Sequence, residues 1–176
     1  AASACERAAA AMESENTPRT QIWHGLAPSD PELAEDPKWQ RWCEAVVDVM
    51  FKARYSPYAN FASQASESYM SLMAFGTQAL FVDEIIGRHL RYKSIHLSEI
   101  CIAENAVGMI DKVHRKFMLT VRQAIQKFGE DALPDSIRNL KEREPERQFE
   151  FIHAVKPNDY NDPDVKGMAF CSYYIV

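Results

Sequence analysis

The chain has 176 residues, of which 47% are hydrophobic and 26% are charged, and its net charge at pH 7 is −5. These values are typical of a folded protein of about one domain and exclude disorder of the chain as a whole. The acidic balance also argues against a general nucleic-acid coat protein, because such proteins are normally basic.

The cysteines argue against two further classes of protein. Cys5, Cys43, Cys101 and Cys171 lie far apart without CxxC spacing, so we expect neither a zinc site nor a disulfide framework. We expect instead free thiols that are mostly buried. No stretch reaches the roughly 20 apolar residues of a membrane-spanning helix, so no membrane partner is expected.

The two ends of the sequence suggest a piece of a longer protein. The chain starts without Met inside an Ala-rich helical pattern, and it stops at AFCSYYIV, which is typical of a strand. We therefore expect one partial domain over residues 1–176, in which residues 1–35 form an extended N-terminal segment that carries a cut helix.

The first predicted elements are helices. Residues 3–13 are Ala-rich and favour a helix, and prolines at positions 18, 28 and 31 then predict an extended segment between turns. Asp36-Pro37 is a favourable helix start, and apolar residues at helical spacing predict a helix over 37–54. We expect the apolar stripe of this helix to be a core face, formed by Trp39, Trp42, Cys43, Val46, Val47 and Met50.

The next stretch predicts a helix followed by strands. A helix is expected from about Pro57 to Phe75, and Gly76 is expected to end it with a positive φ. The apolar run after it predicts a strand over 78–86 that is covered on both faces. The apolar alternation then shifts by one position, which predicts a bulge near Ser94.

The remaining elements are predicted to form the rest of a sheet with helices inserted in it. A strand is expected from Gly108, and Thr120 and Gln123 have capping-box spacing before a short helix that ends at Gly129. Pro134 opens another short helix, and strands are expected over 147–156 and 168–176. The predicted fold class is α+β, with N-terminal helices packed on a mostly antiparallel sheet and one or two short helices inserted.

A thiol enzyme is one alternative that the residues leave open. Cys101, with His96 or His114 as a base and Glu99 nearby, could serve a small thiol enzyme or hydrolase. The surrounding sequence, EICIAEN, favours a buried and inactive thiol instead. We therefore predict no catalytic residue.

Metal and cofactor sites are not expected either. His89 and His96 are predicted to lie on opposite faces of a strand, and Asp83-Glu84 is predicted to be a solvated strand end. The loop over 158–164 lacks the glycine and the distal glutamate of a calcium-binding EF-hand loop. No phosphate-binding loop, GxSxG or HExxH motif is present.

A nucleic-acid-binding module is the second alternative. Its candidate residues are Arg115, Lys116, Arg122 and Lys127. Acidic residues are interspersed with them and no aromatic platform lies between them, so a solvated face is the favoured interpretation.

The order of several segments resembles the head-to-tail connector, or portal, protein of short-tailed bacteriophages. The similar segments begin with WHGLAPSDPELAED at Trp23 and MAFGTQALFVD at Met73. They continue with LSEICIAENAVG, IDKVHR, FMLTVRQ, Phe128-Gly129 and FIHAV, and together they span most of residues 17–156 in order.

The resemblance implies a function that no single residue shows. Such proteins form a ring, usually dodecameric, at one capsid vertex, and double-stranded DNA passes through the ring during packaging and ejection. The implied partners are other copies of the chain, the terminase motor, capsid or scaffold proteins and tail adaptor proteins. This chain is similar to the N-terminal, wing part of the family, which implies no enzyme activity. The resemblance leaves open whether this part contacts the DNA directly. The implied location is the virion, with assembly in the host cytoplasm.

Overall fold

The structure is a computed structural model that describes residues 2–85, 87, 89–159 and 167–176. The chain forms two compact units, Ala1–Leu97 and Ser98–Val176. Whether both belong to one larger domain, as the sequence predicts, stays a prediction. Helices and antiparallel strands are both present, which confirms the α+β class.

The helices and strands follow the chain order that the sequence predicts. Within the described residues, the helices are α1 (Ala2–Asn16), α2 (Pro31–Glu35), α3 (Pro37–Arg54), α4 (Phe61–Phe75), α5 (Val121–Phe128) and α6 (Asp135–Arg138). The strands are β1 (Ala79–Ile85), β2 (His89–Ile95), β3 (Ile100–Glu104), β4 (Ile110–Thr120), β5 (Gln148–Pro157) and β6 (Phe170–Ile175). None of the described helices is long and apolar enough to span a membrane.

Local capping chemistry sets most helix ends in the first unit. The Asp36 side chain accepts a hydrogen bond from Lys38 N, and Pro37 occupies the first turn, so α3 begins where the sequence predicts. Gly76 ends α4 with φ of 75°, as predicted. The segment before α3 is not wholly extended, because Asp30 caps the short helix α2 in the same way.

Two further boundaries in the first unit differ from the prediction. Helix α4 begins at Phe61 and not near Pro57, because Asn60 is left-handed with φ of 56° and interrupts the helical path. The predicted bulge near Ser94 is wrong, since β1 and β2 pair without a break from Ala79–Ile95 to Ile85–His89. The apolar alternation shifts because β2 buries Tyr92 on one face and Ile95 on the other.

Burial in the first unit is lower than the sequence predicts. The buried cluster of Ala59, Phe61, Ala65 and Tyr92 is surrounded by partly buried Trp23, Tyr55, Tyr69 and Leu80. Strand β1 is not covered on both faces, since Val82 is 50% exposed in a two-stranded hairpin. The predicted core stripe of α3 is also wrong in part, because Cys43 and Val47 are buried whereas Trp42 is 56% exposed.

The second unit is an antiparallel sheet of order β3-β4-β5-β6 with helices against one face. Strand β4 alternates as predicted, with Val113, Arg115 and Phe117 less exposed than their neighbours. The predicted capping box of Thr120 and Gln123 is present at the start of α5, and Gly129 ends that helix. A core cluster lies between α5, α6 and the sheet and consists of Val121, Ala124, Leu133, Ile137 and Phe151.

Candidate functional site

The exposed thiol of the second unit lies on a sheet face. Cys101 of β3 pairs in register with His114 of β4, so the two residues are direct cross-strand neighbours on one face. Both are exposed, and the expectation that Cys101 is a buried thiol is therefore wrong. Strand β3 is an edge strand and its side chains at this face reach solvent, which explains the exposure. His96 follows β2 and belongs to the first unit.

The acid of the thiol-enzyme alternative is engaged away from the Cys101–His114 pair. A nucleophilic thiol acts with a base that a third group orients, in a site that holds the substrate. Glu99, the nearby acid of this alternative, accepts hydrogen bonds from Arg115 Nε at 3.1 Å and Nη2 at 3.0 Å. The carboxylate is therefore engaged by a guanidinium on the neighbouring strand, and the geometry gives it no role toward the thiol.

The four basic residues of the nucleic-acid alternative do not form one patch. Arg115 lies on the helix-covered face of the sheet, with its guanidinium carbon 4.6 Å from the Phe117 ring centre, whereas Lys116 lies on the other face. Lys116 pairs with Glu150 at 2.7 Å, and Arg122 pairs with Glu146 at 3.0 Å.

Lys127, the last of the four, lies against aromatic rings of its own unit. Its Nζ is 5.0 Å from the Tyr174 ring centre and 5.7 Å from that of Phe128. All four side chains thus have partners within the chain. Arg115 and Lys127 both lie against the Phe117 ring, whereas Lys116 lies on the other face of the sheet. This arrangement disfavours a phosphate-binding surface.

The carboxylate and histidine candidates of β1 and β2 are also solvated or packed. Asp83 and Glu84 are exposed, and the Asp83 carboxylate accepts a hydrogen bond from Glu84 N at 2.9 Å. His89 stacks on Tyr58 with ring centres 5.0 Å apart. Among the residues that the structure describes, no group of three or more His, Cys, Asp or Glu side chains could hold a metal ion. Residues 160–164 of the calcium-like loop lie outside the described residues.

The first unit contains a groove that the sequence did not predict. It has a volume of about 410 Å³ and lies between the segment 22–28 and α3. Most of its lining is apolar, and it includes Ile22, Leu26, Cys43 and Val47. The exposed side chains of Ile22 and Leu26 were not recognised because the prolines around them indicate only an extended segment.

His24 lines this groove and has one unsatisfied nitrogen. Its Nδ1 lies 3.2 Å from Arg54 Nη1, and because a guanidinium can only donate, Nδ1 must accept. The ring proton therefore sits on Nε2, which is buried without a hydrogen-bond partner among the described residues. Burial, and then the nearby Arg54 charge, lower the pKa of His24, which keeps the ring neutral.

The turn between β3 and β4 presents two strongly exposed apolar side chains. Val107 is 80% exposed and Met109 is 65% exposed. The Asn105 side chain accepts hydrogen bonds from Val107 N and Met109 N, both at 3.0 Å, and Gly108 supplies the positive φ that the turn requires. The sequence predicts a strand from Gly108, whereas β4 begins at Ile110 and Gly108 belongs to this turn.

Comparisons with known proteins define the class of this chain. The family profile described as bacteriophage head to tail connecting protein matches residues 1–176, so the chain belongs to that family. The chain is 30% identical over 172 residues to a protein named as a probable portal protein in Bordetella phage BPP-1. It is 29% identical over 167 residues to a protein named as a portal protein in Salmonella phage epsilon15.

The two relatives cover nearly all of this chain but are much longer. The matches include 94% and 93% of the chain, and in each case the chain spans 30% of the relative's length. The resemblance to portal proteins is therefore confirmed at the level of the family. In the sequence, the family is indicated by the order of the similar segments along the chain, and not by any catalytic or binding motif.

Proposed function

We propose that this chain is part of a structural subunit of a phage portal. In this proposal, copies of the full-length protein form a closed ring, and double-stranded DNA passes through the ring when the genome is packaged and ejected. The observation that carries the proposal is the match of the whole chain to the connector family, together with two relatives that are named as portal proteins.

The described surface supports a structural role more than a catalytic one. The candidate thiol lies on an exposed sheet face, and its nearby carboxylate is engaged by Arg115. The candidate basic residues are paired with glutamates or lie against aromatic rings. We therefore propose that this part of the protein neither catalyses a reaction nor binds DNA directly.

The proposed partners follow from the place of a connector between head and tail. They are other copies of the chain, a terminase motor, capsid or scaffold proteins and tail adaptor proteins. The proposed location is the portal vertex of the virion, reached after assembly in the host cytoplasm. The resemblance implies a dodecamer, but the ring proposed here requires only that the subunit contacts close on themselves.

The test is the assembly state of the complete gene product. We expect annular particles in negative-stain electron microscopy and a mass of many subunits in light scattering. A strictly monomeric full-length protein, at concentrations well above those used for grids, would contradict the proposal. The isolated chain of residues 1–176 is not a substitute, since ring contacts could require the rest of the subunit.

A further inference from the structure

Residues 19–29, which lie between α1 and α2, are attached to the first unit by side chains. Among the described residues, no backbone N–H or carbonyl group of this segment takes part in a hydrogen bond. Two of its side chains contact the end of α3: the Trp23 ring centre lies 4.7 Å from the Arg54 guanidinium carbon, and His24 Nδ1 lies 3.2 Å from Arg54 Nη1. A segment without backbone hydrogen bonds opens more easily than a helix or a strand.

The contact between His24 and Arg54 requires a neutral imidazole ring. Nδ1 accepts the hydrogen bond of the guanidinium, and Nε2 is buried without a partner among the described residues. A proton added at Nδ1 would remove this hydrogen bond and place two positive charges side by side. Neither ring nitrogen has an acceptor there to stabilise the imidazolium, so the charged ring regains hydrogen bonds only by moving into water.

We propose that protonation of His24 releases residues 22–28 from α3 and exposes the thiol of Cys43 while the rest of the protein stays folded. Cys43 is 7% exposed and lines the groove together with Ile22 and Leu26, which belong to the segment. Displacement of the segment removes one wall of the groove and leaves the thiol accessible from solvent. The inference concerns the first unit alone and does not depend on the assembly of a ring.

The ionisable groups around the ring determine which of them can respond to acid. Arg54 stays protonated, and the Tyr55 hydroxyl stays neutral, because burial raises its pKa. Glu13 and Arg19, whose charges act on Tyr55, pair with each other at 2.6 Å. Among the described residues that line the groove, Glu44 is the only one besides the histidine whose side chain can gain a proton as pH falls. A test must therefore separate these two.

The direct test measures how well two buried thiols of the full-length protein are protected. The reagent is 4,4′-dithiodipyridine, which reacts with thiols in acid as well as at neutral pH, and mass spectrometry identifies the labelled cysteines. The rate at each cysteine is divided by its rate in the urea-unfolded protein at the same pH, which removes the chemistry of the reagent. Cys43 reports on the segment, and Cys171, which is buried in the second unit, reports on global unfolding.

Acid should lower the protection of Cys43 and leave that of Cys171 unchanged. We expect a decrease of roughly five- to twenty-fivefold between about pH 7 and about pH 5, since one proton binds to an open ring with the ordinary pKa of 6.5. A constant protection of Cys43 would overturn the proposal. A parallel decrease at both cysteines would overturn it as well, because the whole protein would then be unfolding.

Substitution of the histidine should abolish the response. In His24→Gln, the protection of Cys43 should no longer depend on pH, whatever its level, because glutamine does not titrate. The matched control is His89→Gln, since His89 stacks on Tyr58 at a different place in the same unit. This variant should keep the full decrease. A decrease that persists in His24→Gln, with Cys171 still protected, would show that another group opens the segment.

Two further variants test the neighbours of the ring. Glu44→Gln should leave the decrease intact, and its loss in this variant would assign the response to the carboxylate and overturn the proposal. Arg54→Gln removes the charge but keeps an amide donor for Nδ1. Its decrease should be smaller than that of the unsubstituted protein, because the folded ring then accepts a proton more readily. An equal decrease would show that repulsion by Arg54 does not drive the release.

Discussion

The two compact units bury their side chains in different ways. In the second unit, large aliphatic and aromatic side chains such as Ile137 and Phe151 are almost fully buried between helices and sheet. In the first unit, the most buried residues include the small side chains of Ala9, Ala59 and Ala65. The second unit is thus stabilised mainly by apolar burial, which is the largest favourable contribution to folding.

The first unit depends more on aromatic contacts and polar groups. The Tyr55 hydroxyl accepts a hydrogen bond from Trp23 Nε1 and donates one to Thr17 O, each at 3.0 Å. Trp42 and Val49 remain exposed on α3. The second unit exposes large apolar side chains as well, such as Val107 and Met168, so the two units differ in what they bury and not in what they expose.

The chain contains separate reporters for the two units. All three tryptophans, Trp23, Trp39 and Trp42, lie in the first unit, so their fluorescence follows its unfolding. Cys171 is buried in the second unit, and its protection from thiol reagents follows the opening of that unit. Both measurements can be made on the same sample during denaturant titration.

The largest expected effect is the loss of the main core residue of the second unit. Phe151 is 2% exposed and stacks with Phe117 and Phe128. We expect Phe151→Ala to lower the free energy of unfolding by about 3–5 kcal/mol, because it removes apolar contacts and leaves a cavity. The measurement is the denaturant dependence of Cys171 labelling.

A neighbouring residue on the same strand provides the control. Ile152 faces the opposite side of the sheet and is partly exposed. Ile152→Ala should cost less than half as much as Phe151→Ala. Equal losses for the two substitutions would show that both faces of the sheet are covered and would remove the contrast between buried and open faces.

The next effect concerns the polar contacts of the first unit. Tyr55→Phe keeps the ring but removes the hydroxyl group, which leaves Trp23 Nε1 and Thr17 O without this partner. We expect a loss of about 1–3 kcal/mol, because an unsatisfied donor in a partly buried site retains its desolvation cost. Tryptophan fluorescence measures it, and Tyr58→Phe at an exposed position should change little. Equal effects would show that the hydroxyl network is not important for the first unit.

A smaller effect is expected at the end of α4. Gly76 has φ of 75°, and an added Cβ would meet no atom within 4 Å, so only the backbone conformation resists substitution. Gly76→Ala should cost about 1–2 kcal/mol. Gly25→Ala is the matched control, since Gly25 has similar space but no positive φ. If both glycines tolerate alanine equally, left-handed backbone at Gly76 is not what ends the helix.

Local signals in the sequence predicted the helix ends, whereas long-range packing was not predictable. Asp36, Gly76 and the Thr120–Gln123 capping box act within a few residues, so their chemistry can be recognised without the fold. Helical periodicity identified the apolar face of α3 but could not show whether another element would cover Trp42.

The candidate site also separates into features set by local sequence and features set by contacts between distant residues. Register between strands decides that Cys101 lies beside His114 and that Lys116 lies near Glu150, and register depends on residues far apart in sequence. The sequence named Cys101 and His114 as a possible pair but predicted the wrong burial for the thiol. The unsatisfied nitrogen of His24 depends on Arg54, thirty positions away, and no local pattern indicates it.

The smallest expected effect is an acid-dependent loss of stability in the first unit. Burial and the Arg54 charge lower the pKa of His24 below its ordinary value of 6.5. The unfolded chain therefore binds a proton at a pH where the folded chain does not, and stability decreases as pH falls through this range. The charged group within hydrogen-bond distance of the ring is Arg54, which stays protonated throughout this range.

The measurement is the free energy of unfolding from tryptophan fluorescence between about pH 7 and about pH 5. His24→Gln should flatten this pH dependence, because the glutamine side chain does not titrate. His114→Gln, at an exposed position of the second unit, should leave the profile unchanged. A profile that keeps its slope after His24→Gln would show that another group causes the acid sensitivity. A flattened profile would instead identify His24 as the group whose protonation destabilises the first unit in acid.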